Sequence, residues 1–232
     1  MRTSHLAVAL VAALPIAAEV HAEDSLFSAN VGFVSDYAYR GISQTDERPA
    51  LQGGLDYAHA SGLYAGAWGS NVSWLSDSDS AISNSLELDL YGGYRGEAGS
   101  IGYDVGLLQY YYPGSYPKPY NSPNTLEGYI GLSWEFLSFK YSYAFTDLFG
   151  YQKSDGSQYY DLGTTVNFGG GFGLTAHVGY NDIKGQDNYT DWKIGLSKEF
   201  GGFDFAMSYV DTDIKNLDLA KERVVLSVSK SF

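Results

Sequence analysis

The chain has 232 residues, a formal net charge of −13 and 18% charged residues, which is room for one or two domains. Its composition favours strands and turns, with 21 tyrosines, 12 phenylalanines and 28 glycines, and it contains no cysteine. The lack of cysteine excludes disulfides and thiolate sites, and the negative charge disfavours a nucleic-acid partner, which needs clustered Lys and Arg.

The N-terminal residues have the pattern of a secretory signal peptide. Arg2 precedes an apolar run over 6–18, and 20–22 supplies the modest and small residues of a cleavage site. The run is too short to cross a bilayer as a helix, which needs roughly 20 residues. We therefore predict a cleaved signal peptide at 1–22 and a single domain over 23–232. The alternative for the first residues is a buried helix.

Beyond this segment, apolar and polar residues alternate along almost the whole chain. This alternation is typical of strands whose two faces differ, and it predicts about twelve strands of about 10–12 residues. The facing of 62–73 stays open, because Tyr64 and Trp68 compete with Leu63 and Ala65 for the apolar face. In chain order, the other apolar sets begin with Phe27, Ala29, Val31, Phe33, Tyr37, Tyr39; then Leu51, Leu55, Tyr57; Leu86, Leu88, Leu90, Tyr94; Ile101, Tyr103, Val105, Leu107; Leu126, Ile130, Leu132, Trp134; Phe139, Tyr141, Tyr143, Phe145; Tyr160, Leu162, Thr164, Val166, Phe168; Phe172, Leu174, Ala176, Val178, Tyr180; Trp192, Ile194, Leu196; Phe203, Phe205, Met207, Tyr209; and Val224, Leu226, Val228, Phe232.

The connections between these strands alternate in length. Short links, mostly rich in glycine and compatible with tight hairpins, fall at 60–61, 96–100, Leu137, 169–171 and 201. Longer links fall at 42–49, 74–84, 113–123, 147–156, 183–188 and 211–220. Because no linker or change of composition divides the chain, we predict one domain. An even number of strands would place both ends and all short links on the same side.

Two architectures fit such strands, a soluble sandwich and a membrane barrel, and three features favour the barrel. Strands of about 10–12 residues tilted at roughly 45° cross the hydrocarbon layer, whereas ordinary strands average about 5–6 residues. Aromatic residues concentrate at both strand ends, as interfacial anchoring requires. Phe232 closes an alternating apolar run on one face. We therefore predict an all-β fold, an antiparallel up-and-down transmembrane β-barrel of about 12 strands, with short periplasmic turns and long extracellular loops.

The predicted outer face has two aromatic rims. The rim at the short links contains Phe27, Tyr57, Tyr94, Trp134, Phe136, Phe139, Phe168, Phe172, Phe200, Phe203 and Phe232. The opposite rim contains Tyr37, Tyr39, Tyr111, Phe145, Tyr160, Tyr180, Trp192 and Tyr209. Lys198 and Lys230 also fall on this face, where a long stem can carry the ammonium group to the headgroups.

Two features of the sequence resemble known families. The last strand, with alternating apolar residues and the terminal Phe232, resembles the assembly signal of Gram-negative outer-membrane barrels. The stretch SANVGFVSDYAYRGISQT at 28–45, with 49–57 and 62–72, is similar to the opening of a proteobacterial family of putative outer-membrane porins of TorF type. The resemblance implies export to the outer membrane of a Gram-negative bacterium, contact with its lipid, assistance from periplasmic chaperones and the barrel-assembly machinery, and channel formation. It supplies no substrate and no catalytic residue.

The inner face of such a barrel would carry charged side chains and many small residues. Glycine and serine at many inward positions would leave an open cross-section in a barrel of intermediate size. The predicted pore-lining residues are Asp36, Arg40, Asp56, Glu87, Asp89, Arg95, Asp104, Glu127, Lys140, Asp161, His177 and Lys193. Because acids exceed bases on this face, we predict a narrow porin-like channel for small hydrophilic solutes or ions that prefers cations.

Two other functions stay open, a barrel enzyme that acts on lipid and a closed structural or adhesive barrel. His59 and His177 are predicted at different depths and belong to no recognisable nucleophile elbow or metal-ligand cluster. We therefore predict no enzymatic activity, no cofactor and no metal. The Tyr- and Pro-rich segment 110–120 is either a constriction or a rigid surface loop.

Overall fold

The computed structural model describes residues 26–232, so the predicted signal peptide at 1–22 lies outside the described residues. Twelve long strands make up the fold. They are β1 (Phe27–Val34), β2 (Ala50–Ala58), β3 (Leu63–Asn71), β4 (Leu86–Ala98), β5 (Ile101–Tyr111), β6 (Thr125–Trp134), β7 (Leu137–Ala144), β8 (Gln158–Gly169), β9 (Phe172–Asp182), β10 (Tyr189–Phe200), β11 (Phe203–Thr212) and β12 (Arg223–Ser231).

Each strand pairs antiparallel with its neighbours in sequence, and β1 also pairs with β12, so the sheet closes on itself. At this seam, Asn30 is aligned with Ser231 and Val34 with Ser227. Closure gives every strand a hydrogen-bonding neighbour on both sides, which is the condition for a β-sheet to cross hydrocarbon. The predicted antiparallel barrel of twelve strands is confirmed.

The connections alternate in length around the barrel, as the sequence predicts. Short turns lie at 59–62, 99–100, 135–136, 170–171 and 201–202, and long loops lie at 35–49, 72–85, 112–124, 145–157, 183–188 and 213–222. Glycine serves the tightest turns because it adopts positive φ at little cost, as Gly99 does at 69° and Gly201 at 64°. One turn differs in place, since the chain reverses at 135–136 and Leu137 already belongs to β7.

The long loops contain the remaining regular structure. Two pairs of short strands occur there, Ala38–Tyr39 with Ile42–Ser43 and Ser83–Asn84 with Gly114–Ser115. Helix α1 (Trp74–Ser78) is a single turn, and a 3-10 turn follows much later in the chain. Within residues 26–232, no helix is long and apolar enough to cross a membrane.

Large apolar side chains cover the outside of the barrel. Leu55, Leu90 and Ile130 are 65%, 56% and 50% exposed, and they have equivalents on every strand. A surface this apolar is covered by lipid in a transmembrane barrel. Exposed aromatic residues mark the short-turn end at Phe27, Tyr94, Trp134, Phe136, Phe168, Phe200 and Phe232, and the long-loop end at Tyr111, Phe145, Tyr160, Tyr180 and Tyr209.

The strand register decides the facing of 62–73. Trp68 is aligned with Gly54 on one side and Asp89 on the other, and Tyr64 is aligned with Gly93. Gly54, Asp89 and Gly93 occupy strand positions that face the barrel interior. The side chains of Trp68 and Tyr64 therefore also point into the barrel. The aliphatic residues between them, including Leu63, face outward.

The first strand is shorter than its sequence pattern predicts, because β1 ends at Val34. The prediction that Tyr37 and Tyr39 belong to the outer aromatic rim is wrong. Tyr37 is only 4% exposed, and both residues lie in the loop over 35–49. This loop folds into the barrel, and the alternation continues through it because its own short hairpin also has a period of two.

Candidate pore and its lining

The loop over 35–49, hereafter the inward loop, enters the barrel from the long-loop end. Its hairpin reverses at Arg40 and Gly41, which have φ values of 44° and 80°. The tip touches the wall so closely that a Cβ atom at Gly41 would lie 2.9 Å from Cβ of Asp191 on β10. Glycine is therefore required at this position both for its backbone conformation and for the approach to the wall.

Arg40 bridges two separate parts of the wall. Its Nη2 donates to both carboxylate oxygens of Glu127 on β6, at 2.9 and 2.8 Å, and its Nη1 donates to Oδ1 of Asn181 on β9 at 3.5 Å. The guanidinium carbon lies 4.2 Å from the ring centroid of Tyr159. Two strands lie between β6 and β9, so this side chain joins strands that are not neighbours. The side chains of Arg40 and Glu127 are only 7% and 3% exposed.

Tyrosines extend the contact between the inward loop and the wall. The hydroxyls of Tyr39 and Tyr110 are 2.6 Å apart, and the Tyr110 hydroxyl donates to Glu127 at 3.3 Å. Both rings also pack edge to face against Phe149 from another long loop. The carboxylate of Glu127 is therefore held by an arginine and a tyrosine in a place where few water molecules could replace them.

A second ion pair fixes the base of the inward loop. Asp36 accepts a hydrogen bond from Nη1 of Arg223 on β12 at 3.0 Å. Its other oxygen accepts from the hydroxyls of Ser43 at 2.5 Å and Thr45 at 3.1 Å. Both members of the pair are less than 10% exposed. Asp36 thus joins the two ends of the inward loop to the wall.

Two acids on β4 lie beneath the loop. The hydroxyl of Tyr37 donates to Glu87 at 3.1 Å. Glu87 is 1% exposed and Asp89, two residues along the same inner face, is 5% exposed. One oxygen of each carboxylate has no hydrogen-bond partner among the described residues. The inward loop therefore covers acids that would line the entrance if the loop were elsewhere.

A layer of tyrosines and charges crosses the middle of the barrel. The hydroxyl of Tyr64 on β3 donates to Asp104 on β5 at 2.5 Å and also bonds the hydroxyl of Tyr129 on β6. Arg95 lies over the Tyr64 ring, 5.0 Å from its centroid, and Lys140 lies over the Tyr129 ring at 4.3 Å. Each base in this layer thus lies over an aromatic ring that is bonded into the network.

Asp56 and Tyr91 form a separate contact on the inner wall. The hydroxyl of Tyr91 donates to Oδ1 of Asp56 at 2.5 Å. Asp56 lies on β2 and Tyr91 on β4. Because β3 lies between these strands, the hydrogen bond crosses β3 on the inner face of the barrel.

The opposite wall carries a cluster around His177. Its Nδ1 lies 3.3 Å from Asp161 and 3.9 Å from Asp191. Asp191 also accepts hydrogen bonds from Tyr159 at 3.2 Å and from Asn181 at 3.3 Å. Two carboxylates thus lie beside His177. Such carboxylates bind water or pair with a positive charge.

Several inward glycines, among them Gly93 and Gly106, lie against tyrosine rings, so these small residues do not leave an open cross-section as expected. A Cβ atom at Gly106 would lie 2.6 Å from Cζ of Tyr129, and one at Gly93 would lie 2.8 Å from Cζ of Tyr64. Side-chain carbon atoms do not approach this closely, so each glycine provides the room for a neighbouring ring. The small residues accommodate side chains that cross the barrel.

A cavity of about 30 Å³ remains between the inward loop and the wall. Asp36, Tyr37, Gln52 and Lys193 contribute polar groups to its lining. A space of this size holds about one water molecule. The interior at this depth is therefore narrow.

The twelve predicted pore-lining residues all project into the barrel, although they form no single ring. Ten come from inward strand positions, and Asp36 and Arg40 come from the inward loop instead of from β1. The sequence pattern assigned Tyr37 and Tyr39 to the outer rim and left the facing of Tyr64 open, and it did not single out the other inward tyrosines as lining residues. For three of the rings the register offers a signal, since Tyr64 is aligned with Gly93, Tyr91 with Gly66 and Tyr129 with Gly106. The inward tyrosines named above are Tyr37, Tyr39, Tyr64, Tyr91, Tyr110, Tyr129 and Tyr159.

The segment 110–120 packs on the neighbouring loop at the long-loop end. The ring of Tyr112 lies 5.9 Å from that of Trp74 in α1, and Tyr116 donates to the Tyr112 carbonyl oxygen at 2.9 Å. A hydrogen bond from the Tyr120 hydroxyl, helped by the Ala81 N–H, holds the pKa of Asp79 below its usual value. These contacts fit the rigid-loop interpretation, and the constriction comes from the inward loop.

No three His, Asp or Glu side chains within residues 26–232 lie where they could hold a metal ion. The site is therefore an interior of tyrosines, acids and bases, narrowed at the long-loop end by a folded loop.

Residues 18–232 match the family described as "Bacterial protein of unknown function (Gcw_chp)". The chain belongs to this family. A search of curated proteins finds no match to this Gcw_chp chain.

Solved outer-membrane porins share the fold of the Gcw_chp chain. The KdgM porin is 11% identical with a TM-score of 0.59, over 88% of this chain and 99% of that chain. The same values hold for the KdgM porin in complex with disordered oligogalacturonate. The NanC porin is 13% identical with a TM-score of 0.52, over 88% of this chain and 97% of that chain. At these identities the likeness establishes a porin-like fold alone.

Proposed function

We propose that this protein is an outer-membrane channel of porin type, which lets small hydrophilic solutes or ions diffuse passively. The observation that supports the proposal is a closed transmembrane barrel whose outer face is apolar and whose inner face carries charged and polar side chains on every level. A barrel with a merely structural role has no need of unpaired charge inside. The porin-like fold supports the same conclusion.

The inward loop sets the size of the permeating species. Arg40 and Tyr39 occupy the centre of the upper half, so only ions and small solutes pass between loop and wall. Wider passage requires the loop to leave its contacts with Glu127 and Arg223. The proposed channel is therefore narrow at rest.

Cations are the proposed preferred species. The inner face and inward loop carry more acids than bases, and a confined ring of carboxylates concentrates cations and repels anions. The acids are Asp36, Asp56, Glu87, Asp89, Glu97, Asp104, Glu127, Asp161, Asp191, Glu199 and Asp204, and the bases are Arg40, Arg95, Lys140, Lys193 and Arg223. Ion pairs such as Arg40 with Glu127 cancel part of the charge and leave an excess of carboxylates.

This charge pattern argues against the ligand of the KdgM complex. Oligogalacturonate is a polyanion, and it would meet an excess of carboxylates inside this barrel. We therefore propose that acidic sugar chains are excluded here, although the two barrels share their fold.

The membrane and family assignments extend the same proposal. We place the barrel in the outer membrane of a Gram-negative bacterium after export, with Phe232 as the signal read by the assembly machinery and periplasmic chaperones as transient partners. The TorF-type porins, which the stretch 28–45 resembles, are the proposed subgroup.

One observation favours a second candidate, a closed structural barrel. Glu87, Asn181 and Asp191 are at most 1% exposed, which indicates an interior filled by side chains around the inward loop. An enzyme has less support, because His177 lies beside the carboxylates of Asp161 and Asp191 and not beside a nucleophile, and we propose no enzymatic activity.

Single-channel recording of the refolded protein in planar bilayers tests the proposal. Discrete conductance steps in potassium chloride support the channel, and silence in repeated insertions supports the closed barrel. A parallel assay for fatty-acid release from phospholipid vesicles tests the enzyme. Silence together with lipid hydrolysis would replace the channel by the enzyme.

A further inference from the structure

The lipid-facing wall has an uneven charge distribution at its short-turn end. In the described part of the chain, Lys198 and Lys230 are the only charged residues at outward strand positions in that half of the barrel. No outward carboxylate on these strands compensates them. Both therefore place positive charge at one level of a surface that is otherwise apolar.

The two lysines lie on the same patch of wall. Lys198 on β10 is aligned with Phe205 on β11, which is aligned with Val228 on β12, two residues before Lys230. Strands are spaced by about 4.8 Å, so the two backbones are about 10 Å apart across the sheet. Lys198 points toward the turn at Gly170 and Lys230 toward Phe203, and a lysine side chain is long enough for Lys198 to turn so that both ammonium groups reach one headgroup between them.

Aromatic rings hold both side chains against the wall. Nζ of Lys198 lies 3.9 Å from the ring centroid of Phe172 and donates to the carbonyl oxygen of Gly170 in the adjacent turn. Nζ of Lys230 lies 5.1 and 5.2 Å from the centroids of Phe203 and Phe232. The ammonium groups thus sit at the level of the aromatic rim, where headgroups begin.

An apolar groove runs beside them on the same strands. It is an open depression on the lipid side with a volume of about 650 Å³. Phe172, Leu196, Phe205, Met207 and Leu226 line it, and Lys198 stands at its edge. A positive edge on an apolar groove matches a molecule with an anionic head and a hydrocarbon tail.

We propose that this patch binds an anionic phospholipid, with its phosphate between Lys198 and Lys230 and an acyl chain in the groove. A zwitterionic lipid matches less well, because its own ammonium group would approach the two lysines. The proposal rests on the proposed membrane orientation, in which the short turns face the periplasmic leaflet. It does not depend on whether the barrel conducts.

Native mass spectrometry of the detergent-refolded protein tests the site with phosphatidylglycerol and phosphatidylcholine of identical acyl chains. Wild-type protein should retain phosphatidylglycerol with clear preference, and K198Q/K230Q should lose about tenfold or more of that binding, as expected for two basic contacts. The matched control is K118Q/K153Q, which removes two lysines from the long loops and should bind as the wild type does. Heat-modifiable migration of each refolded barrel on gels shows that the variants are folded.

Three results would overturn the site. Equal retention of the two lipids, or equal losses of binding in both double variants, would mean that Lys198 and Lys230 do not form a specific site and that binding depends at most on the net charge of the protein. A preference for lipid A, added in the same assay, over phosphatidylglycerol would mean that the patch does not select a phospholipid. Conductance of the wild-type barrel separates the two proposals, since a silent wild-type barrel that still selects phosphatidylglycerol would refute the channel and keep the lipid site.

Discussion

Arg40, at the tip of the inward loop, forms an ion pair with Glu127 on β6 of the wall, in which Nη2 donates to both carboxylate oxygens at 2.9 and 2.8 Å. Both side chains are almost fully buried. A buried pair of this kind is sensitive to the loss of one partner, because the remaining charge then has neither water nor a counter-ion. The pair is therefore the contact that holds the inward loop across the interior.

Arg40→Met should release the inward loop and increase single-channel conductance. It should also lower the free energy of unfolding by about 3–5 kcal/mol, since Glu127 remains buried without its partner. R40M/E127Q should recover much of this stability and keep the larger conductance, as the unpaired charge is gone but the contact is still missing. Planar-bilayer recording and urea unfolding in detergent give the two measurements. Unchanged conductance in both variants would contradict the role of the loop as the constriction.

Reversal potentials in a potassium chloride gradient should show a preference for potassium, stronger at low salt because mobile ions screen fixed charges over roughly 10 Å at 0.1 M. Replacement of Glu87, Asp89 and Asp104 by their amides should reduce it. Asp104→Asn alone should cause a large part of this reduction in potassium preference, because the inward loop covers Glu87 and Asp89. Asp155→Asn, in an exposed loop, serves as the control. An anion-selective pore, or indifference to the triple change, would refute the proposed preference.

The orientation of the barrel can be tested on whole cells. A protease site inserted at 115–118, in a long loop, should be cleaved from outside, whereas one at Gly170, in a short turn, should be cleaved only after the outer membrane is opened. Immunoblots of intact and permeabilised cells provide the measurement. The opposite pattern would reverse the barrel and, with it, the leaflet assigned to the two lysines.

Phe232 contributes to the barrel through its backbone as well as its ring. Its N–H donates to the Ala29 carbonyl oxygen at 2.8 Å, and the Ala29 N–H donates back at 3.1 Å. Phe232→Ala keeps this pair and should reduce assembly in cells far more than stability after refolding. Deletion of Phe232 should reduce both, because two hydrogen bonds of about 1 kcal/mol each are lost. Heat-modifiable migration of cellular and refolded protein compares the variants, and equal losses for F232A in both settings would make the ring an anchor only.

The period-two pattern predicted the strands, their outward faces and the alternation of turns and loops, because each depends on residues that are close in sequence. It did not predict the inward loop. Asp36 to Ser43 continue the alternation of β1, yet the chain turns at Arg40 and Gly41, and tertiary contacts decide where the loop goes.

The contents of the barrel are determined by contacts that no local pattern records. Arg40 meets Glu127 across 87 positions of sequence, and Tyr64 meets Tyr129 across 65. Tyrosine has an apolar ring and a polar hydroxyl, so it suits the lipid boundary and the interior equally well. The strand register separates the two environments, as where Tyr64 is aligned with Gly93 and Tyr129 with Gly106.

The pairing of β1 with β12 makes the first and last strands of the barrel depend on each other for folding. The two strands are separated by roughly 200 residues of chain, so the seam has the largest loop-closure entropy of any ladder in the barrel. The seam also has the fewest aligned residue pairs of any two neighbouring strands in the barrel, five against ten between β9 and β10. Because the seam joins the most distant strands through the fewest aligned pairs, we expect it to close last during folding and to open first on heating.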